Sequence, residues 1–538
     1  MKTTTLNRRD FLKQTGIGIA GLSLVTWFPG AYAHDLKKTS GLARSIPELQ
    51  GLSSAQILSF IEAVEKANLG LHSLMIVRHG KVIAEGWWDP YRADLKHTLF
   101  SLSKSFTSTA IGFAVAEGKL TVEDKVVSFF PEEKPETVSE NLAAMRIKDL
   151  LTMSTGHEKD TLGPLLGETQ CCWVKRFLSL PVERKPGTHF LYNTGATYML
   201  SAILQKVTNT HLLDYLIPRL FKPLGIQGAD WEKDPDGIDT GGFGLRLATE
   251  DIAKFGQLYL QKGIWNGKQL LPATWIEEAT SFQVDNAPPT GKTTEHDWNQ
   301  GYGYQFWRCR HNAYRGDGAM GQYCIVMQEQ DAVIAITSET HDMQAVMDKV
   351  WEILLPNMKN TALPQDSKAY DILKQKLASL TLLPASTNTT SPLIAAISGK
   401  RYKMKENTLH TDAVSFTFQK NNCTFKLKDA QGEHTIVCGL NQWIKAETMM
   451  PGDPPKLVPL KNKMDTSKVK VAAVGSWIDA DTFMMTWNFY ETPHSDVVTC
   501  HFSNDTLRME FINSVDSKAR NKKEPRLILE GQMEAMKG

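Results

Sequence analysis

The chain has 538 residues, of which 42% are hydrophobic and 22% charged, and its formal net charge is +1. This composition is typical of a soluble globular protein, and the length is sufficient for two or three domains that each bury a core. A net charge so close to zero provides no overall field that would attract nucleic acid or an anionic surface. We therefore expect no nucleic-acid partner.

The first 33 residues resemble an export signal. An arginine pair in "NRRDFLK" (Asn7–Lys13) precedes a short apolar stretch (Gly16–Phe28), and the small residues of "AYA" (Ala31–Ala33) precede a cleavage point before His34. This pattern is similar to twin-arginine signals and predicts a periplasmic or secreted protein, with net charge −2 once residues 1–33 are removed. The alternative is a membrane anchor, but about 13 apolar residues are short for a bilayer span. No later stretch is long and apolar enough, so we expect no stable membrane span in the mature chain.

Residues 34–383 carry strand patterns at both ends and a helical block between them. The helical predictions are Ser53–Asn68, Phe106–Gly118, most of residues 120–280, and Met343–Leu355. The strand predictions are a hairpin over Ser73–Trp87 and the runs Tyr302–Trp307, Gln322–Gln328 and Ala332–Ser338. An economical packing is one antiparallel sheet built from both ends and covered by helices, which is an α+β domain.

A domain of different character follows a polar, proline-bounded linker, "PASTNTTSP" (residues 384–392). In residues 393–538 apolar and polar side chains alternate, as they do in half-buried strands. The strand candidates are Val414–Phe418, Cys423–Leu427, Thr482–Tyr490 and Val497–Phe502. We predict an all-β accessory domain, either a sandwich or a small barrel.

The seven cysteines indicate neither a metal site nor a disulfide framework. They show no C-x-x-C spacing and no pairing with histidine that is typical of zinc. We expect buried free thiols, and a bridge between Cys423 and Cys438 stays open if a hairpin pairs them.

The segment "LFSLSKSFTS" (residues 99–108) places four serines around Lys104. On a helix, residues three apart share a face, so the amine of Lys104 can take or relay the proton of Ser101. Ser103 and Ser105 are immediate neighbours of the lysine and point elsewhere, and Ser108 lies on its far side. A second S-x-x-K, at residues 467–470, lies in a polar turn of the all-β domain, and we interpret it as a chance match.

Three further strings extend this pattern: "PGTHFLYNTGATYML" (Pro186–Leu200), "DLLTMSTGH" (Asp149–His157) and the glycine-rich segment Gly241–Leu271. Together with S-x-x-K they resemble, in order, the penicillin-recognising serine hydrolases, in the branch of class C β-lactamases, 6-aminohexanoate-dimer hydrolases and related esterases. The resemblance covers roughly residues 45–355. It implies a β-lactamase/transpeptidase-like α/β/α sandwich, with an antiparallel sheet and a helical subdomain, for residues 34–383.

The resemblance also implies roles for individual residues. Ser101 would be acylated, and Lys104 and Tyr192 would jointly move its proton. The oxyanion hole would combine the backbone N–H of Ser101 with one from the strand within Arg315–Val326, whose glycines allow close approach. The tentative oxyanion and substrate-binding residues are Asn193, Thr194, Arg315, Gly318 and Gly321.

Two departures from the family pattern concern the substrate. The Y-x-N box has Thr194 in place of the asparagine, with Asn193 beside it, and "RGDG" (Arg315–Gly318) replaces K-T-G. The lysine of K-T-G normally meets a substrate carboxylate, and Arg315 is the available cation here. Antibiotic hydrolysis is therefore disfavoured relative to another amide or ester.

We predict an exported serine hydrolase that needs no metal or cofactor and acts on a small molecule, a short peptide or an oligoamide. An α/β-hydrolase is disfavoured because G-x-S-x-G is missing, and a zinc hydrolase because H-E-x-x-H is missing. The alternatives are a D,D-peptidase or penicillin-binding protein, and a non-catalytic sensor of peptidoglycan or another ligand on the same fold. The sequence gives no indication of the oligomeric state.

Overall fold

The computed structural model describes residues 41–168, 172–288, 296–384, 386–450, 468–514 and 528–534. The predicted signal (residues 1–33) and one residue of the second S-x-x-K, Ser467, lie outside the described residues. Within the described ranges, no helix is long and apolar enough to cross a membrane.

The strands of the first domain are β1 (Ala43–Arg44), β2 (Leu71–Arg78), β3 (Lys81–Trp87), β4 (His97–Thr98), β5 (Arg246–Leu247), β6 (Ile264–Trp265), β7 (Lys268–Gln269), β8 (Trp307–Arg308), β9 (Tyr314–Gly318), β10 (Gln322–Met327) and β11 (Ala332–Ser338). The main sheet has the order β1-β3-β2-β11-β10-β9-β8. All its neighbours are antiparallel except β1 and β3, which run parallel. The sheet therefore joins strands from both ends of the domain, as the sequence predicts.

The helices are α1 (Ser54–Lys66), α2 (Ser103–Ala116), α3 (Glu140–Ala144), α4 (Ile147–Leu151), α5 (Leu162–Leu166), α6 (Trp173–Ser179), α7 (Thr194–Thr208), α8 (Leu212–Leu216), α9 (Lys222–Leu224), α10 (Thr249–Leu260), α11 (Ala273–Thr280), α12 (Met343–Lys349), α13 (Ser367–Ala378) and α14 (Ile394–Ile397). Ser53 caps α1 by accepting the N–H of Gln56 at 3.3 Å, which is the predicted serine cap.

Helices cover both faces of the main sheet. Because successive side chains of a strand point to opposite faces, the core has two parts, one on each side of the sheet. In β2, Leu74 and Ile76 pack in the cluster that contains α1, α12 and α13. Met75 and Val77 pack on the other face with α2 and α10. Because both faces are covered, every residue of β2, β10 and β11 is buried. The helical block between α2 and β5 adjoins this second face, where α7 contacts α2 and α4.

The C-terminal domain is a β-barrel. Its strands are β12 (Arg401–Met404), β13 (Ala413–Phe418), β14 (Asn422–Asp429), β15 (Gly432–Leu440), β16 (Ile444–Thr448), β17 (Val469–Trp477), β18 (Thr482–Asn488), β19 (Ser495–Ser503), β20 (Thr506–Asn513) and β21 (Leu529–Met533). The sheet runs β15-β14-β13-β12-β21-β20-β19-β18-β17-β16, and a pairing of β15 with β17 closes it. Large apolar side chains such as Phe416, Phe425 and Trp487 fill its interior.

The α+β fold class with an all-β C-terminal domain is thus confirmed. Of the two architectures predicted for that domain, a sandwich or a small barrel, the structure has the barrel. The predicted strand Tyr302–Trp307 is wrong: only Trp307 enters β8, because Gly301 and Gln305 have φ of 101° and 64°, which bend the chain. Cys423 and Cys438 face each other across β14 and β15, yet both are buried free thiols.

Candidate active site

The four serines around Lys104 have different surroundings. Ser101 lies in a 3-10 turn, Phe100–Leu102, that leads directly into α2. Ser103 is buried and its hydroxyl accepts the N–H of Leu245 at 3.2 Å, whereas Ser105 donates to the carbonyl of Gln305 at 2.8 Å. Ser108 is buried among the described residues without a hydrogen-bond partner. Ser101 is therefore the partly exposed serine of the group.

Lys104 lies on the first turn of α2 and is 1% exposed. Its Nζ is 3.1 Å from Ser101 Oγ and 3.4 Å from Thr194 Oγ1, and it donates to the carbonyl of Gly242 at 2.7 Å. A side chain at Gly242 is excluded because a Cβ there would lie 2.8 Å from Thr194 Cγ2. The glycine-rich string therefore supplies a carbonyl that fixes the amine beside Ser101.

Burial lowers the pKa of Lys104 from 10.5 to about 7, while the negative charges of Asp160 and Asp317 oppose this shift. A desolvated ammonium loses its hydration, so the neutral amine becomes accessible near neutral pH. A neutral amine in contact with a hydroxyl is a competent proton acceptor.

Tyr192 lies between the amine and an aromatic wall. The Nζ of Lys104 is 4.9 Å from the centroid of its ring, and the ring stacks on Trp307 at 5.4 Å and meets Tyr302 edge-on at 6.4 Å. Burial and the charge of Asp317 raise the pKa of Tyr192 above its ordinary value, against the effect of its hydrogen bond with Ser101. Tyr192 therefore holds its proton and is linked to Ser101.

The two residues after Tyr192 point in different directions. Asn193 is fully buried, and its side-chain oxygen accepts the N–H and the hydroxyl of Thr161 at 3.1 and 2.7 Å. The structure thus turns its amide toward the helical block and not toward Ser101. Thr194 begins α7, its hydroxyl contacts Lys104, and its N–H donates to Asp160 at 2.8 Å.

Strand β9 lies against the turn that carries Ser101. A Cβ on Gly318 would be 2.0 Å from the carbonyl oxygen of Leu99 and 3.2 Å from the nitrogen of Leu102. Such close backbone approach requires glycine and places the end of β9 beside the turn that carries Ser101. Gly321 is separate from this contact: it turns the chain into β10 with φ of 86°, and its N–H donates to the Gly318 carbonyl at 3.1 Å.

Arg315 is enclosed, and its guanidinium is paired with Asp317 on the same strand. It is 0% exposed, donates to Asp317 at 2.8 Å and to the Asp297 carbonyl at 2.9 Å, and covers the ring of Trp298 at 4.2 Å. Asp317 is the residue of β9 whose charge acts on both Lys104 and Tyr192. Burial raises the pKa of Asp317, and Arg315 counteracts this.

The sequence interpretation missed Asp160, Asp317 and the aromatic wall of Tyr302 and Trp307. The indole of Trp307 is hydrogen-bonded to Asp317 and stacks on Tyr192, so it joins β9 to the site. A usable signal was present, because "YGYQFW" places two tyrosines next to a glycine and ends on a tryptophan, and glycine allows the chain to bend. The hydroxyl of Ser101, the amine of Lys104 with its lowered pKa and the protonated phenol of Tyr192 therefore meet beside the Gly318 end of β9.

Comparison with known proteins gives one family match and several similar proteins. The family model described as Beta-lactamase matches residues 61–356. A 6-aminohexanoate-dimer hydrolase from Paenarthrobacter ureafaciens is 23% identical over 253 residues, which are 43% of this chain and 64% of that protein. A relative from Escherichia coli (strain K12), provisionally named D-alanyl-D-alanine carboxypeptidase, is 26% identical over 142 residues, which are 24% of this chain and 33% of that protein.

The chain therefore spans less than two thirds of the length of either curated relative. Among solved structures, the octameric penicillin-binding protein homologue from Pyrococcus abyssi aligns with 88% of this chain and 99% of its own, at 14% identity and a TM-score of 0.44.

Proposed function

Because the chain belongs to the beta-lactamase family, we propose that it is a serine hydrolase that cleaves an amide or an ester through an acyl-enzyme on Ser101. The observation that carries this proposal is the contact of 3.1 Å between Ser101 Oγ and the Nζ of a buried lysine whose pKa is about 7. Tyr192 contributes a second proton-transfer group on the same hydroxyl.

In the first step Ser101 Oγ attacks the carbonyl carbon of the substrate and its proton passes to the Lys104–Tyr192 pair. The same pair protonates the departing amine or alcohol as the C–N or C–O bond breaks, which leaves an ester on Ser101. Water then attacks this ester, gives a proton to the pair, and releases the acid while the Ser101 hydroxyl is restored. We assign the base to the pair jointly, because the two groups share one hydroxyl.

The negative charge that develops on the carbonyl oxygen needs preorganised donors. We propose the backbone N–H groups of Ser101 and of the Gly318 end of β9, which the close approach of Gly318 to Leu99 and Leu102 supports. Asn193, Arg315 and Gly321 are left out of this assignment because their contacts lie elsewhere.

The enclosed Arg315 favours a substrate without an essential carboxylate near β9. A D,D-peptidase must bind the terminal carboxylate of its peptide. The guanidinium of Arg315, the cation of β9, instead donates to Asp317 and packs on the ring of Trp298. A small ester, an amide or a short oligoamide therefore fits better. The D,D-peptidase alternative is supported by the names of relatives such as the Escherichia coli protein.

The test is active-site labelling with a fluorophosphonate, followed by mass spectrometry of the intact protein and of its peptides. We expect one adduct on Ser101, which is lost in Ser101→Ala and retained in Ser103→Ala. The second variant is a matched control, since Ser103 is buried on the same turn and bonded to the Leu245 backbone. A folded protein that shows no adduct would instead support the non-catalytic sensor.

A hydrolysis screen with p-nitrophenyl esters, nitrocefin, D-amino-acid amides and short oligoamides would then assign the substrate class. Export through the N-terminal arginine pair is a separate proposal, which rests on the sequence pattern alone.

A further inference from the structure

The barrel reaches the catalytic domain through the connection between β18 and β19, which we call the barrel loop (Phe489–His494). This loop lies against the segment that leads from β4 into the turn Phe100–Leu102, which carries Ser101. The carbonyl of Glu491 accepts the N–H of Thr98 at 3.0 Å. The ring of His494 meets the ring of Phe100 edge-on, with centroids 5.6 Å apart and an interplanar angle of 72°. Phe100 immediately precedes Ser101.

The loop is internally braced. The N–H of Phe489 donates to the His494 carbonyl at 3.0 Å, that of Thr492 donates to the Phe489 carbonyl at 2.8 Å, and that of His494 donates to Thr492 Oγ1 at 3.0 Å. Both ends of the loop therefore stay together and present Glu491 and His494 as a fixed surface.

Contacts from both domains hold this surface in place. The carboxylate of Glu491 pairs with Lys470 of the barrel at 2.7 Å and lies 3.6 Å from Arg246 of β5 in the catalytic domain. The Tyr91 hydroxyl donates to the Thr492 carbonyl at 2.9 Å. The barrel loop is thus fastened to β5 and to Tyr91 as well as to its own domain.

The segment that it contacts has an unfavourable backbone conformation. Phe100 has φ of 46°, in the left-handed region that a bulky side chain rarely adopts. Such a conformation persists only where the surroundings impose it. On one side Gly318 presses against the Leu99 carbonyl, and on the other the His494 ring contacts Phe100.

We propose that the barrel loop is a positioning element of the catalytic site: through His494 and the Glu491 backbone it holds residues 98–100 so that Ser101 is aligned with Lys104 and Tyr192. This inference rests on the proposed role of Ser101 as the nucleophile. It gives the C-terminal domain a function in the reaction itself, in which His494 touches no substrate and acts through Phe100.

The experiment uses full-length His494→Ala and His494→Phe. It measures kcat and KM for a p-nitrophenyl ester and the second-order rate constant for labelling of Ser101 by a fluorophosphonate. Small misplacements of reacting groups lower rates by up to about a hundredfold, so we expect His494→Ala to lose about tenfold or more in kcat and in the labelling rate, with little change in KM. His494→Phe keeps a ring against Phe100 and should retain most of the rate. His501→Ala is the matched control, because His501 lies on β19, the strand that follows the barrel loop, with a side chain that is 43% exposed.

A double-mutant cycle with Phe100→Ala tests the route of the effect. If His494 acts through Phe100, adding His494→Ala to Phe100→Ala lowers the labelling rate by much less than tenfold. If His494→Ala does not fold, His494→Leu replaces it, since leucine fills space without providing a ring.

Three results would overturn the inference: an unchanged labelling rate in a folded His494→Ala or His494→Leu protein, an equal loss in His494→Phe, or full additivity with Phe100→Ala. Failure of the proposed function is distinguishable, because unmodified protein would then show no adduct on Ser101 at all.

Discussion

Replacing Asp317 with asparagine should move the pH dependence of Ser101 acylation toward acid. Asp317 opposes the loss of the Lys104 proton, because its negative charge stabilises the ammonium. Asparagine removes that charge but keeps a hydrogen-bond acceptor for Arg315, which donates to Asp317 at 2.8 Å. The substitution should therefore lower the pKa of Lys104 from its value of about 7.

The size of the effect follows from the fraction of neutral amine. With a pKa of about 7, half of the Lys104 side chains are neutral at pH 7, against about one in 3,000 at the ordinary value of 10.5. About one tenth are neutral at pH 6, so Asp317→Asn can raise the acylation rate there by at most about tenfold, and scarcely at all at pH 8. The rate must rise with pH, because the deprotonated amine is the active form.

The assay is the second-order rate constant for acylation by a fluorophosphonate or a p-nitrophenyl ester between pH 5 and 10. This rate constant reports the ionisation of the free enzyme. Glu158→Gln is the control, since Glu158 is half exposed and pairs with Arg184 on the surface. A profile of the unmodified protein without an inflection between pH 6 and 8, or an Asp317→Asn midpoint displaced upward, would refute the reasoning.

Three further predictions concern other residues. Lys104→Met should abolish labelling but raise the free energy of unfolding in urea at pH 7 by up to about 4 kcal/mol. The reason is that folding lowers the pKa of the lysine from 10.5 to about 7, which destabilises the folded state below pH 10. A stability gain that grows from pH 7 to pH 10 would contradict this reasoning. Gly318→Ala should lower the acylation rate about a hundredfold or more, since its Cβ would lie 2.0 Å from the Leu99 carbonyl oxygen, whereas Gly163→Ala, with nothing near its Cβ, should have no effect on that rate. Lys substitutions of both Arg8 and Arg9 should retain the protein in the cytoplasm in cell fractionation, and equal periplasmic amounts would reject the twin-arginine proposal.

Local spacing was sufficient to predict from the sequence that Ser101 and Lys104 lie together. Ser101 and Lys104 are three residues apart where a 3-10 turn leads into a helix, and this spacing places their side chains on one face, where they approach to 3.1 Å. The α1 cap and the β2–β3 hairpin are equally local, since each depends on a serine or on the left-handed His79 and Gly80 within a few residues.

Features set by distant parts of the chain were not predictable in this way. Arg315 was a reasonable cation by composition, but the fold encloses it with Asp317, Asp297 and the Trp298 ring. The direction of Asn193 depends on Thr161, 32 residues earlier. The contact of His494 with Phe100 joins two domains across almost 400 residues, so no periodicity within either segment reports it.

The junction between the two domains also bears on how freely such proteins can be recombined. A buried patch at this junction contains Tyr91, Ala472 and Tyr490, and Trp87 and Trp443 pack against it. A chain cut at residue 383 would expose this aromatic surface to water and leave the Thr98 N–H and the Tyr91 hydroxyl without their acceptors. The two halves are therefore not interchangeable modules: a catalytic domain moved to another scaffold, or a barrel exchanged for a relative's, has to carry its complementary surface along.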